Sequence, residues 1–253
     1  MTGLGPILDA LGLPPVAVAV VFFRVTGLMF FLPAFGERMI PARVRLGATF
    51  ALTAMIAPLM PAAALPADVT PALILTEATT GAALGAVLKF MTHALLMTGA
   101  IAAQATSLSQ LFGVQSMDPS SAMGNVLHLG GLALLMASGL HLMVVDLMIR
   151  SWDVFPAGFL LPGADVAQWG LERVGAAFAL ALGLSAPFVI ASVLYNLALG
   201  VINKAMPQLM VALVGAPLIT GLSLALLAAT AAIILTVWRE RFLATILDPI
   251  GIL

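Results

Sequence analysis

From residue 73 to residue 113 the chain runs for about 40 residues with Glu77, Lys89 and His93 as its only ionisable groups. A helix rises about 1.5 Å per residue, so the tract is far longer than one crossing of a hydrocarbon core of about 30 Å. It must bend, tilt steeply or protrude from the bilayer. Nothing in it alternates as a β-barrel strand of about ten residues would. Five further apolar segments share its helical character: 14–32, 46–67, 126–148, 174–202 and 209–238. Hydrophobic residues make up 62% of the 253 and charged residues 8%. Soluble domains carry about 25% charged residues, so this chain cannot cover a globular surface in water. The reading is an all-α membrane protein of about six long, partly kinked helices and hairpins, forming one domain over residues 1–253.

Composition closes off several chemistries. The net charge is −1, which leaves no basic field for nucleic acid. There is no cysteine, hence no disulfide, thiolate metal site or Cys nucleophile. His93, His128 and His141 stand far apart and lack the His-Glu-x-x-His metal pattern. Gly183-Leu184-Ser185-Ala186 lacks the second glycine of a nucleophile elbow. No catalytic residue, metal site or cofactor is assigned, and no enzymatic role is expected. The first fifteen residues hold Asp9 and no Lys or Arg, so no cleavable signal peptide is expected.

Intramembrane charges are costly and face protein or water. Arg24 stands alone in its apolar run and needs a carboxylate or carbonyl partner. Asp146 and Arg150 lie at i,i+4, the better orientation for a helical pair. Glu77 and Lys89, twelve apart, fall on different helix faces, whereas Lys89 and His93 share one. Gly81 and Gly85 form a G-x-x-x-G that permits close helix approach. Arg24, Glu77, Gly81, Gly85, Lys89, Asp146 and Arg150 are therefore the candidates for helix docking and assembly. Breaks are expected at residues 66–71, at 215–217 (Gly-Ala-Pro), and over a loop region at 151–170 rich in Trp and Pro. Asp118 is a candidate helix cap with Pro119 at the first helical position. Basic residues at 38–45, at Lys204 and at 239–241 give conflicting votes on orientation unless the tract after Lys204 re-enters. The termini are thus not assigned to a side.

Several stretches resemble the FliR family of flagellar biosynthesis proteins, which also holds the SctT components of injectisomes. They are Arg24 with Pro33-Ala34-Phe35-Gly36 and Pro41; Glu77 with Gly81 and Gly85; Gly99 with Gln104; Asp118-Pro119; Gly139-Leu140-His141 through Ser151-Trp152 to Pro156-Ala157-Gly158; Ala186-Pro187; and Gly200 through Pro207-Gln208. Met210 and Ala212 depart from the Asn and aromatic residue of the family pattern. The resemblance implies a non-catalytic, pore-forming subunit of the type III protein export gate in the bacterial inner membrane, within the flagellar basal body. One copy would assemble with five FliP and four FliQ, alongside FlhB and FlhA, surrounded by membrane lipid, and pass unfolded export substrates. Residues 1–173 would form a FliP-like part. Residues 174–238 would form a FliQ-like hairpin, with a cytoplasmic tip at Asn203, Lys204, Pro207 and Gln208. The family's mid-chain loop plugs the pore. Here that implies Phe112, Gly113, Val114, Met117 and Met123 as seal candidates, with Gly113 and Gly124 as hinges. Flexible apolar side chains suit a seal that must dewet when idle and part around a polypeptide. The alternatives are an injectisome gate subunit and a small-solute secondary transporter.

Overall fold

The computed structural model of the protein describes residues 14–37, 40–61, 65–105, 121–206 and 211–249, the last with side chains from residue 218. Among them are seven α-helices and no strand: α1 (Pro15–Phe31), α2 (Ala42–Ile56), α3 (Pro71–Ala105), α4 (Ala122–Ala137), α5 (Leu140–Val154), α6 (Gly163–Ala205) and α7 (Val211–Leu247). Three are long and apolar enough to cross a membrane: α3, α6, and α7 from Leu218. The bent pair α4–α5 would make a fourth. The protein is an all-α membrane protein, with seven described helices where the sequence suggests about six apolar segments.

Local chemistry explains the helix starts. Pro15 opens α1 and Pro71 opens α3, where a missing N–H costs nothing. The Thr70 hydroxyl accepts a hydrogen bond from the Leu73 N–H at 3.2 Å, capping α3. The Ser121 hydroxyl does the same for Gly124 N–H at 3.0 Å, so α4 starts at Ala122. The cap expected at Asp118-Pro119 lies outside the described residues.

Four other expectations are corrected. The apolar segment 46–67, the cleanest charge-free run and expected to span, yields a helix of only 15 residues, α2, about 22 Å, which tightens into a 3-10 turn, Ala57–Leu59, at Pro58. The run 126–148 is two helices bent by 72° at Ser138-Gly139, where Gly139 takes φ 82°. The loop expected at 151–170 is only residues 155–162, because α5 continues to Val154 and α6 begins at Gly163. No break falls at 215–217, where α7 runs on as helix. Pro187 likewise sits inside α6. Membrane helices tolerate proline because neighbouring groups re-satisfy the freed backbone.

The chain forms two compact units. The first holds the chain up to Phe90, Leu135–Arg173, and the chain from Phe242. Its core includes the α1 stripe Ala17, Val20, Val21, Arg24, Val25, Leu28 and Met29. This stripe meets α3 at nearly bare backbone. A Cβ on Gly81 would lie 1.9 Å from the Arg24 carbonyl oxygen, and one on Gly27 2.1 Å from that of Ala78. Such small-residue faces let membrane helices approach closely. Helix α2, packed on α1, has inverted polarity. Thr49 and Thr53 face inward, donating to the Arg45 and Thr49 carbonyls, while Val44, Leu46, Phe50 and Met55 are exposed.

The second unit holds Met91–Leu134 and Val174–Arg241. Helices α3 and α4 cross where a Cβ on Gly99 would lie 2.2 Å from the Gly124 Cα. Trp238 is fully buried, packs on Gly131, and donates its indole N–H to the Met91 carbonyl at 2.6 Å. Within this unit α6 buries one stripe: Ala177, Ala181, Leu184, Ser185, Phe188 and Ser192. The Ser192 hydroxyl donates to the carbonyl of Ala105, the last residue of α3, and accepts from the Asn196 side chain at 3.3 Å. From residue 193 to the end of α6 no residue is buried, although Val193, Leu194, Leu197 and Val201 are apolar.

Candidate functional site

A densely connected polar group lies in the core of the first unit. Helix α1 carries Arg24 inward, and α3 carries Glu77 to meet it; each side chain is 1% exposed. Arg24 Nε donates to Glu77 Oε2 at 2.7 Å and Nη2 donates to Oε1 at 3.2 Å, a bidentate pair. The same guanidinium reaches α5 and the loop after it. Nη1 donates to Ser151 Oγ at 3.0 Å, and Nη2 to the Phe155 carbonyl at 2.9 Å. The guanidinium carbon sits 4.5 Å above the Trp152 ring. Glu77 Oε1 also accepts from the Gly158 N–H at 2.8 Å, and Gly158 takes φ 80° to present it. The Ser151 hydroxyl in turn donates a hydrogen bond to the Met148 carbonyl at 2.7 Å.

Charged hydrogen bonds of this kind are the strong ones, and the guanidinium fork matches a carboxylate geometrically. Four of its N–H groups are used. The Glu77 carboxylate is paired, accepts three hydrogen bonds and is 1% exposed, an arrangement suited to holding helices together. It fastens α1, α3, α5 and the 155–162 loop to one point. Glycines are what allow it: the Gly81 crossing brings the Arg24 backbone against α3, within reach of Glu77 one turn away.

The other expected site residues are distributed more widely. Gly85 packs against Leu28 and Phe31 inside the chain. Lys89 Nζ lies 5.9 Å above the Phe31 ring. Asp146 and Arg150 pair at 2.9 Å, but with side chains 50% and 64% exposed. In the second unit Met123 is half-buried at the start of α4, and Asn203 and Lys204 are exposed at the end of α6. Gly124, expected as a hinge, lies within α4 and is buried against α3. Phe112, Gly113, Val114, Met117, Pro207 and Gln208 lie outside the described residues. Among the described residues no group of His, Cys, Asp and Glu could hold a metal ion.

Sequence reading missed the roles of Ser151, Trp152, the Phe155 carbonyl and the Gly158 N–H. The available signal was Arg24 itself, whose five donors cannot be satisfied by one carboxylate.

The fold and this knot define a helical membrane protein fastened internally by a buried ion pair. The sequence matches the model of the bacterial export proteins, family 1, over residues 16–245, and the chain belongs to that family. It is 31% identical over 233 residues to the flagellar biosynthetic protein FliR of Caulobacter vibrioides, covering 88% of this chain and 92% of that one. It is 30% identical to FliR of Escherichia coli K12, covering 81% and 80% of the two chains. It is 27% identical to FliR of Bacillus subtilis, covering 91% and 92%.

Proposed function

We propose that the chain is a non-catalytic, pore-forming subunit of the flagellar type III export gate, passing unfolded flagellar proteins across the inner membrane at the basal body. Its kinship with FliR proteins across nearly the whole chain supports the flagellar assignment over an injectisome one. The observation that carries the assembled form is the lack of burial along its longest helices. The most apolar window of α7 is 11% buried and that of α6 33% buried. Helix α6 has 43 residues, about 64 Å, roughly twice the hydrocarbon thickness. Lipid can cover only part of that length, so neighbouring polypeptides must cover the rest.

The expected neighbours are FliP and FliQ, five and four per copy, with FlhB at the cytoplasmic mouth and FlhA nearby. Residues 1–173 would act as the FliP-like part and 174–238 as the FliQ-like hairpin. The pairing of Glu77 with Arg24 weighs against the small-solute transporter, a reading motivated by Glu77, Lys89, Asp146 and Arg150 in apolar surroundings, because it ties up one of those charges within the chain.

The mass of the intact complex purified through this chain tests the reading: a large hetero-oligomer with one copy is expected, and a stable, active monomer refutes it. The seal is tested separately. Deleting residues 112–117 from the assembled gate should make reconstituted bilayers leak small ions, and unchanged conductance removes the seal assignment.

A further inference from the structure

The knot around Arg24 and Glu77 fixes a piece of backbone whose outermost side chains stay outside. Three hydrogen bonds hold the 155–162 loop. Arg24 Nη2 donates to the Phe155 carbonyl at 2.9 Å, Gly158 N–H to Glu77 Oε1 at 2.8 Å, and Phe159 N–H to the Pro156 carbonyl at 3.0 Å. The last of these closes a four-residue turn, and Gly158 at φ 80° supplies the positive φ that the third residue of a type II turn takes. Phe155 is half-buried, with its ring 6.2 Å from that of Phe159. Beyond this held backbone Phe159 is 45% and Leu160 71% exposed. The loop is thus a rigid mount for an apolar tip.

The chain on either side of the tip is charged and exposed. Asp153 near the end of α5, and Asp165 and Glu172 in the first turns of α6, are all exposed. Between residues 151 and 173 the one cation is Arg173, which is half-buried. Exposed carboxylates on both flanking helices are costly in hydrocarbon, so acyl chains are not what covers the tip. Anionic head groups are repelled by the same excess of negative charge. A protein surface remains, and the charges specify it, since interfaces match potential of opposite sign. The mount also lowers the ordering cost of docking, because the tip backbone is already fixed. We propose that Phe159 and Leu160 seat in a pocket of a neighbouring subunit that is apolar at its centre and rimmed by Lys or Arg, which face Asp153, Asp165 and Glu172. The proposal rests on the assembled form put forward above.

The test places the photo-reactive residue benzoylphenylalanine at Leu160 in the complex purified through this chain, and maps the crosslinked peptides by mass spectrometry. One site on another subunit is expected, with Lys or Arg beside it. Leu160→Asp should cut recovery of that subunit about tenfold, as loss of a central anchor does. The charge reversal Asp153→Lys/Asp165→Lys should weaken the same contact. All three positions are exposed, so the fold of the chain is spared. A complex that forms while Leu160 reacts only with lipid, or at a site without basic residues, overturns this proposal alone, as does full recovery of the subunit by Leu160→Asp. A solitary chain in place of a complex overturns the assembled form and this proposal with it.

Discussion

Replacing Glu77 with alanine is the most informative single change. It leaves the Arg24 guanidinium 1% exposed and charged, and it strips Gly158 N–H of its acceptor. Breaking one side of a buried ion pair costs about 3–5 kcal/mol; an orphaned buried N–H can account for about 1–3 kcal/mol of that. Removing both charges together is a different perturbation. In Arg24→Met/Glu77→Leu no charge is stranded, and apolar residues of similar volume fill the core. Such replacements are often neutral or stabilising, although here Phe155 O and Gly158 N–H would still lose their partners. The double variant should therefore be more stable than Glu77→Ala alone, despite losing more native bonds. Denaturant unfolding in mild detergent, followed by tryptophan fluorescence, reads this directly, because Trp152 lies against the guanidinium. A loss below about 1 kcal/mol for Glu77→Ala, or a double variant less stable than the single, refutes the reasoning.

Gly81→Ala should lose about 1–3 kcal/mol by overpacking, since its methyl would strike the Arg24 carbonyl; detergent melts measure it. Gly183→Ala is the control, because its Cβ would enter open space. It should leave the chain as stable or add up to about 1 kcal/mol through helix propensity, unless assembly falls, which would place a partner at that face. Trp238→Phe should cost about 1 kcal/mol by removing the hydrogen bond to Met91, read by the same unfolding assay. Asp146→Asn should change stability by less than about 1 kcal/mol, and a larger loss would show that the exposed pair matters more than its surroundings indicate.

What the sequence reveals depends on how far apart the interacting groups lie along it. The Asp146–Arg150 pair was legible because its geometry is local to one helix turn. Arg24's need for a counter-charge was equally legible, but its partner was not. Glu77 is 53 residues away and Phe155 131, and only helix packing decides such distances. The helical class followed from apolar runs, while their ends did not. Ser138-Gly139 breaks a run that hydropathy alone joins, and the helix at 215–217 continues through residues that spell a turn. At Gly139 the break is a positive φ that glycine adopts readily, a signal hydropathy does not carry. The G-x-x-x-G at Gly81 and Gly85 announced a close crossing, but its partner, α1 of the same chain, had to be seen.

The unburied last thirteen residues of α6, 193–205, have a consequence for the cell. A copy made without its neighbours would expose to water or lipid a greasy rod suited fully to neither. Solitary molecules would then be prone to clumping and to capture by quality-control proteases. If the chain works in the proposed assembly, supplying it in excess of its companions should shorten its lifetime rather than raise its functional level.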